Sequence, residues 1–285
     1  MIDYLLLGHV TADLHPEGRT LGGTVAYSAP IAHLLGRRVG ILTSCAPDEP
    51  LVEPLRSLAK LVIQPSQSTT TFENRYTSIG RVQIVHRLAE PLSLDNLPAA
   101  WCEAPAVHLA PLVAEFDPRI ASAFPRALVM LTPQGLLRQW DRTGRVMPRP
   151  WLDEGALRLV RLVVLSKQDI QGHPYLEAQY AQIVEQLIVT DGAQGGVVYD
   201  RGRPYPYAAY PVQEVDATGA GDVFATALLA SLPRWLSDLR QPQSDDLARA
   251  VALAVPLAAR LAALAVTRRG VAFFTSDEVR PWLDA

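Results

Sequence analysis

A glycine-rich segment ending in aspartate carries the clearest chemistry in this sequence. Residues 216–222 read Asp-Ala-Thr-Gly-Ala-Gly-Asp. Apolar residues follow at helical spacing over 223–232, which predicts a helix. Its first turn would contain Gly219, Ala220 and Gly221, whose backbone N–H groups have no intrahelical partner. Because the helix dipole is also positive at this end, the segment predicts a binding site for a phosphate group.

The carboxylate of Asp222 adds acid–base chemistry beside that predicted phosphate site. It could accept the proton of a hydroxyl group that attacks phosphorus, while the amides of residues 219–221 form an anion hole. The alternative is that the glycines only make a tight turn into a helix. Other glycine-rich loops do not fit, because Phe224 replaces the third glycine of a dinucleotide fingerprint and no Gly-x-x-x-x-Gly-Lys-Ser/Thr occurs.

Composition favours a compact folded protein with small-molecule partners. The 285 residues are 49% hydrophobic and 19% charged, and the net charge of −3 gives no reason to expect nucleic acid or an anionic membrane. Cys45 and Cys102 have no metal-binding spacing and are predicted to be buried apolar residues. The apolar stretch 251–266 is shorter than the ~20 residues that span a bilayer, and no basic signal region opens the chain. We therefore expect a cytoplasmic protein.

Short apolar runs alternate with helical patterns along most of the chain. This alternation predicts an α/β fold with a mostly parallel sheet covered on both faces by helices. The predicted strands are Tyr4–Leu7, Val39–Thr43, Val107–Leu109, Ala127–Leu131, Leu162–Leu165 and Leu187–Thr190. The predicted helices are Val25–Leu35, Leu51–Lys60, Pro118–Phe124, Asp153–Leu159, Ile170–Gln186, Gly219–Leu232 and Asp245–Thr267.

One segment departs from this alternation. Thr69–Leu88 is rich in Thr, Tyr, Val and Ile, with Gly80 between two runs, which predicts a β-hairpin. It could project from the α/β body as a lid or form an edge of the main sheet.

Taken together, these motifs resemble the ribokinase-like, or PfkB, family of ATP-dependent carbohydrate and nucleoside kinases. Residues 216–222 resemble the family's Asp-Thr-x-Gly-Ala-Gly-Asp-type signature. Other matches follow in the family's order across almost the full length: Gly8 and Asp13 after the first strand, the Gly22-Gly23 pair, and Thr190, Gly192 and Gly195 in a Thr-x-Gly-x-x-Gly segment. The resemblance implies a three-layer α/β/α core, a small β lid, ATP along the C-terminal half and the acceptor between core and lid.

The resemblance also implies roles for individual residues. Asp222 would be the base, and Gly219, Ala220 and Gly221 the anion hole. The acceptor-binding residues would be Asp13, Gly22, Gly23, Tyr27, Gln134 and Arg138. The nucleotide-binding residues would be Ser166, Thr190, Gly192, Gly195 and Thr218, with Asp169 organising Mg²⁺.

Three positions depart from the family pattern. Tyr27 stands where the family usually has a sugar-contacting Asn, so the acceptor pocket should differ from that of ribokinase. Ordinary helix packing is the alternative for Tyr27. Ser166 and Asp169 stand where Asn-x-x-Glu is common, and the shorter Asp carboxylate could still bind Mg²⁺ through one more water.

The expected protein is a single ribokinase-like domain, 1–285, with a reduced lid from roughly 11–21 and 69–88. The expected reaction is transfer of the γ-phosphoryl group of Mg²⁺-ATP to a hydroxyl of a small sugar or polyol. A nucleoside or myo-inositol kinase of the same family and a non-catalytic sugar or nucleotide sensor remain alternatives. The sequence leaves monomer and homodimer undecided.

Overall fold

The computed structural model describes residues 1–77, 80–232 and 243–283. The strands are, in chain order, β1 (Tyr4–Leu7), β2 (Thr11–His15), β3 (Gly18–Gly22), β4 (Val39–Cys45), β5 (Ala59–Pro65), β6 (Thr70–Thr77), β7 (Gly80–Arg87), β8 (Ala106–Leu109), β9 (Leu128–Leu131), β10 (Arg138–Trp140), β11 (Val146–Pro148), β12 (Leu162–Ser166), β13 (Gln186–Thr190), β14 (Gly196–Asp200) and β15 (Arg203–Tyr207). The α-helices are α1 (Thr24–Leu34), α2 (Glu154–Leu157), α3 (Tyr175–Ile183), α4 (Ala220–Ser231), α5 (Ser244–Ala265) and α6 (Ser276–Leu283).

Nine strands form the main sheet, in the order β15-β14-β13-β12-β9-β8-β1-β4-β5. The seven strands from β13 to β5 run parallel to one another. At one edge, β14 pairs antiparallel with β13, and β15 pairs antiparallel with β14. One face packs against α1, α4 and α5, and the other against α2, α3 and short 3₁₀ helices. The three-layer α/β/α architecture is therefore confirmed.

A separate four-stranded sheet, in the order β3-β2-β6-β7, forms the lid. β6 and β7 are an antiparallel hairpin, as the Thr69–Leu88 pattern predicted, and β2 pairs with β6 in parallel. Phe72 and Val85 on this sheet pack against Leu112 and Val113 of the core. The lid thus covers the carboxyl end of the main sheet, because Leu112 and Val113 follow β8.

Several predicted elements differ in detail from the structure. The helix predicted over 51–60 is a 3₁₀ helix, Pro50–Ser57, and β5 begins two residues later. The helix predicted over 170–186 covers only Tyr175–Ile183, because Gly172 has φ +88° and Pro174 occupies the N-cap position.

Helix α5 is long and apolar enough to cross a membrane by length and composition alone. It packs against α4, and eleven of its residues are buried. A core helix of a globular protein has this same composition, so α5 is a weak indication of a membrane segment.

Candidate active site

The glycine-rich turn that is predicted to bind an anion lies at the N-terminus of α4. Gly219 is the N-cap residue in the left-handed region, with φ +79°, and the Asp216 carboxylate accepts a hydrogen bond from the Thr218 amide at 2.9 Å. The Ala220 amide donates to Ala217 O at 3.2 Å. No backbone carbonyl in the described part of the chain accepts from Gly219 or Gly221. These two amides, rather than three, are therefore available to an anion.

The two glycines of this turn have different surroundings. A Cβ on Gly219 would overlap the ring of Tyr27, which is buried in α1. A Cβ on Gly221 would meet no atom within 4 Å. Gly219 is therefore required by packing and by its positive φ, whereas Gly221 leaves open space at the helix N-terminus.

The carboxyl group of Asp222 is enclosed by protein, although the residue as a whole has intermediate exposure. Burial raises the pKa of Asp222 to about 7, and the nearby Asp169 carboxylate also raises it. A hydrogen bond from the Thr24 side chain and the charge of Arg138 lower it. A pKa near neutrality suits a group that takes up a proton during the reaction and releases it afterwards.

Thr24 is a site residue that sequence analysis missed. It is the first residue of α1 and is 2% exposed. Its side chain lies near enough to the Asp222 carboxylate to lower the pKa of Asp222, and α1 packs against α4. A threonine at a helix start has many possible roles, so only the fold could identify this contact.

Asp169 is held rigidly after β12. One carboxylate oxygen accepts from the Ser166 amide at 2.9 Å and the Ser166 hydroxyl at 2.8 Å, and the other accepts from Gln134 Nε2 at 3.2 Å. Ser166 thus positions Asp169. Gln134, which was predicted to bind the acceptor, lies beside this carboxylate.

These residues fit a magnesium ion only if the donor supplies further ligands. The described residues contain no group of three or more His, Cys, Asp or Glu side chains that could hold a metal. Mg²⁺ in phosphoryl-transfer sites uses one or two carboxylates, phosphate oxygens and several waters. The neighbouring carboxylates of Asp169 and Asp222 meet that requirement.

Asp13 and the glycine pair, which are predicted to bind the acceptor, lie together. The Asp13 carboxylate accepts from the Thr11 hydroxyl at 2.9 Å and lies where a Cβ on Gly22 would be. Gly23 has φ +92°, and a Cβ there would lie 2.5 Å from the His9 carbonyl oxygen. The glycine pair therefore lets β2 and the start of α1 approach closely.

A chain of polar side chains runs from the lid to Arg138. Arg138 Nη1 donates to Gln83 Oε1 at 3.3 Å, and Gln83 Nε2 donates to Asn74 Oδ1 at 3.1 Å. Asn74 and Gln83 are opposite each other on β6 and β7, and Arg138 influences the pKa of Asp222. Arg138 was predicted from the sequence and the two amides were not, because isolated Asn and Gln in strands form no motif.

Residues of the proposed nucleotide segment cluster after β12 and β13. Thr190 O accepts from the Lys167 amide at 2.9 Å, and Lys167 Nζ lies 2.9 Å from Asp191 Oδ2. Gly192, with φ +51°, borders open space. Gly195, with φ +84°, packs directly against the backbone of 207–209, so its glycine is required by structure.

Comparison with known proteins supports a kinase relationship. The profile of the pfkB family carbohydrate kinases matches residues 163–278. The chain is 26% identical over 254 residues to a cytidine kinase of Thermococcus kodakarensis, covering 82% of this chain and 90% of that protein. It is 31% identical over 196 residues to a fructokinase of Escherichia coli, covering 63% of this chain and 60% of that enzyme.

Solved structures of this fold superimpose on nearly the whole chain. A fructokinase from Xylella fastidiosa with bound ATP has a TM-score of 0.78 at 18% identity and covers 100% of this chain and 99% of its own. A pyrophosphate-dependent myo-inositol-1 kinase, converted by two substitutions into a myo-inositol-3 kinase, has a TM-score of 0.77 at 20% identity, with 99% and 98% covered. The fold and the match over residues 163–278 therefore agree in relating this chain to the pfkB family of carbohydrate kinases, which are phosphotransferases.

Proposed function

We propose that this protein transfers the γ-phosphoryl group of ATP to a hydroxyl of a small sugar or polyol. The observation that carries the proposal is the enclosed Asp222 carboxylate, with a pKa of about 7, beside the open amides of Gly219 and Gly221. A base and an anion-binding turn on the same helix end suit in-line attack of an alcohol on a phosphoryl group.

Asp222 acts as the general base in this proposal. It accepts the hydroxyl proton as the acceptor oxygen forms a bond to the γ-phosphorus, and the bond from that phosphorus to the β–γ bridging oxygen breaks. ADP leaves with the bridging oxygen, and the proton passes from Asp222 to solvent after the product departs. The Gly219 and Gly221 amides stabilise charge on the transferred group, and the Ala220 amide contributes less because it already donates to Ala217 O.

Asp169 would hold Mg²⁺ through water, with Ser166 and Gln134 fixing its carboxylate. The ion would neutralise phosphate charge and align the donor. Thr190, Gly192, Gly195 and Thr218 are proposed to line the nucleotide side. Thr190 supplies a hydroxyl, and Gly192 borders open space. Gly195 supports the turn by packing against the backbone of 207–209.

The acceptor is proposed to bind between the lid and the core. Asp13 would accept hydrogen bonds from neighbouring hydroxyls, with Gly22 and Gly23 allowing its approach. Arg138 would contact the acceptor or the transferred phosphoryl group. Tyr27 would border this region beneath the anion-binding turn, and its contact with Gly219 equally supports a packing role.

The decisive experiment measures phosphate transfer to pentoses, hexoses, inositols and nucleosides, with ATP and pyrophosphate compared as donors. Asp222→Asn should reduce turnover at least ~10²-fold while donor binding persists. Asp277→Asn, at an exposed carboxylate on α6, is the matched control and should retain activity. Near-normal turnover by Asp222→Asn would contradict the mechanism.

The same panel separates the alternatives. A preference for a nucleoside or myo-inositol would change the identity of the proposed acceptor but not the proposed phosphoryl-transfer mechanism. Ligand-induced stabilisation without product from any acceptor or donor would indicate a non-catalytic sensor.

Residues 1–285 are proposed to form one domain, with a lid from roughly 11–21 and 69–88, in the cytoplasm. The partners would be small molecules, with neither nucleic acid nor membrane, and either a monomer or a homodimer is compatible with the site.

A further inference from the structure

His9 lies at the junction of the lid and the core, between β1 and β2. Its side chain is fully buried. Nδ1 lies 2.9 Å from the Thr70 hydroxyl oxygen, and Nε2 lies 3.0 Å from the carbonyl oxygen of Glu90. Thr70 opens the lid hairpin β6–β7, and Glu90 lies three residues beyond its end. One imidazole ring therefore contacts both chain segments that attach the hairpin to the core.

The hydrogen-bond partners define which atoms carry protons. Glu90 O can only accept, so Nε2 of His9 donates to it, and in a neutral ring Nδ1 is then the acceptor nitrogen. The Thr70 hydroxyl donates to Nδ1, and its oxygen accepts from the Ala89 amide at 2.9 Å. Burial lowers the pKa of His9, which agrees with a neutral ring. Every polar atom of the two side chains thus has a partner.

The core side of this junction is fixed by a buried carboxylate. Glu115 is 3% exposed, and its Oε1 accepts from the His9 amide at 2.9 Å. Its Oε2 accepts from the amides of Leu112 and Val113 at 2.8 and 2.9 Å. Leu112 and Val113 are also the core residues on which the lid packs. The backbone of His9 is therefore held to the core while its side chain holds the hairpin.

The same junction lies next to the acceptor residues. Four residues after His9, Asp13 is paired with Phe72 of β6, and the His9 carbonyl lies against Gly23. A displaced hairpin would therefore move the strand that neighbours Asp13.

We propose that His9 is a positioning residue, which sets the lid over the acceptor site by tying Thr70 and Glu90 to the core. It does not contact the acceptor. The expected kinetic effect rests on the proposed kinase function. The hydrogen bonds of His9 to Thr70 and Glu90 are a property of the fold. Loss of the tie should weaken acceptor binding and admit water, so that donor hydrolysis without transfer increases.

The test uses variants of the full chain. Thr70→Val removes the hydroxyl at nearly constant volume. His9→Asn keeps a hydrogen-bond acceptor near Thr70 but removes Nε2, which donates to Glu90 O. Each should raise the acceptor KM about tenfold, as expected for a lost buried hydrogen bond, and leave the donor KM unchanged. The ratio of donor hydrolysis to transfer should rise in both.

Two control variants separate this role from general destabilisation. Thr71→Val removes a neighbouring buried hydroxyl that donates to Thr69 O at 2.8 Å, and it should behave like the wild type. Thr70→Ser keeps the hydroxyl and should restore the acceptor KM. Variants at His9 and Thr70 that lower the melting temperature but leave acceptor KM and hydrolysis ratio unchanged would overturn the proposal.

Hydrogen exchange provides a readout independent of catalysis. The amides of 70–76 and 82–88 should exchange faster in Thr70→Val and His9→Asn than in Thr71→Val, while the main sheet remains protected. If the wild type transferred no phosphate, the proposed function would fail. Faster exchange in Thr70→Val and His9→Asn than in Thr71→Val would still support the role of His9 in holding the hairpin to the core. Equal exchange in all variants would overturn it.

Discussion

The ring of Tyr27 lies directly beneath the backbone of Gly219, so closely that a methyl group on Gly219 would overlap it. This contact joins α1 to the anion-binding turn at the start of α4. It also places an aromatic residue of the first helix against a motif nearly two hundred residues away. The position of the amides that are proposed to bind phosphate therefore depends on packing between two helices.

The first prediction compares the two glycines of the turn. Gly219→Ala should lower the free energy of unfolding by about 2–4 kcal/mol, because the methyl group meets Tyr27 and the left-handed conformation is strained. Gly221→Ala should leave stability nearly unchanged but weaken donor binding, since its methyl group would fill the open space. Urea unfolding and donor titration measure both effects. Equal destabilisation by the two substitutions would contradict this assignment.

The second prediction concerns the pH dependence of transfer. Because burial raises the pKa of Asp222 to about 7 and the base must be ionised, kcat/KM for the acceptor should rise with pH and level off above about 7. Thr24→Val removes a hydrogen bond to the carboxylate, so the midpoint should move to higher pH. A pH–rate profile of both proteins is the measurement. An unchanged midpoint in Thr24→Val would show that the hydroxyl does not bond to the base.

The third prediction concerns stability. Folding raises the pKa of Asp222, so the carboxyl group stays protonated in the folded chain up to about pH 7. The folded state is stabilised by holding this proton, and that stabilisation is lost as pH rises through about 7. Asp222→Asn should therefore melt at higher temperature than the wild type at pH 8. The difference should shrink as pH falls from 7 towards 4. Thermal unfolding at these pH values tests it, with Asp277→Asn showing no such trend.

The fourth prediction tests the polar chain from the lid. Gln83→Leu removes the acceptor of the Arg138 guanidinium and the donor to Asn74. The acceptor KM should rise roughly tenfold, as for other lost hydrogen bonds to charged groups, with the donor KM unchanged. Gln139→Leu, at the exposed neighbour of Arg138, is the control. An equal change in the two variants would remove Gln83 from the acceptor site.

Much of the core was predictable because its strands are continuous apolar runs. β1 matched its predicted bounds, and β4, β8, β9, β12 and β13 matched within two residues at either end. The segment of β2 and β3 was predicted as part of the lid but not as strands, and the hairpin β14–β15 was not predicted, since β3 and β15 are mostly exposed and carry little apolar pattern. Two prolines in β15 also argue against a strand, and they are tolerated here because β15 is at the sheet edge.

The sequence alone determined the chemistry that residues 216–222 can perform, because a glycine-rich helix start and an adjacent carboxylate are local features. Only the tertiary structure decided the environment of that carboxylate. Burial, Thr24, Asp169 and Arg138 set its pKa, and the ring of Tyr27 supports its neighbouring turn. Those partners come from separate elements that meet at the carboxyl end of the sheet, and such distant contacts leave no pattern in a single sequence.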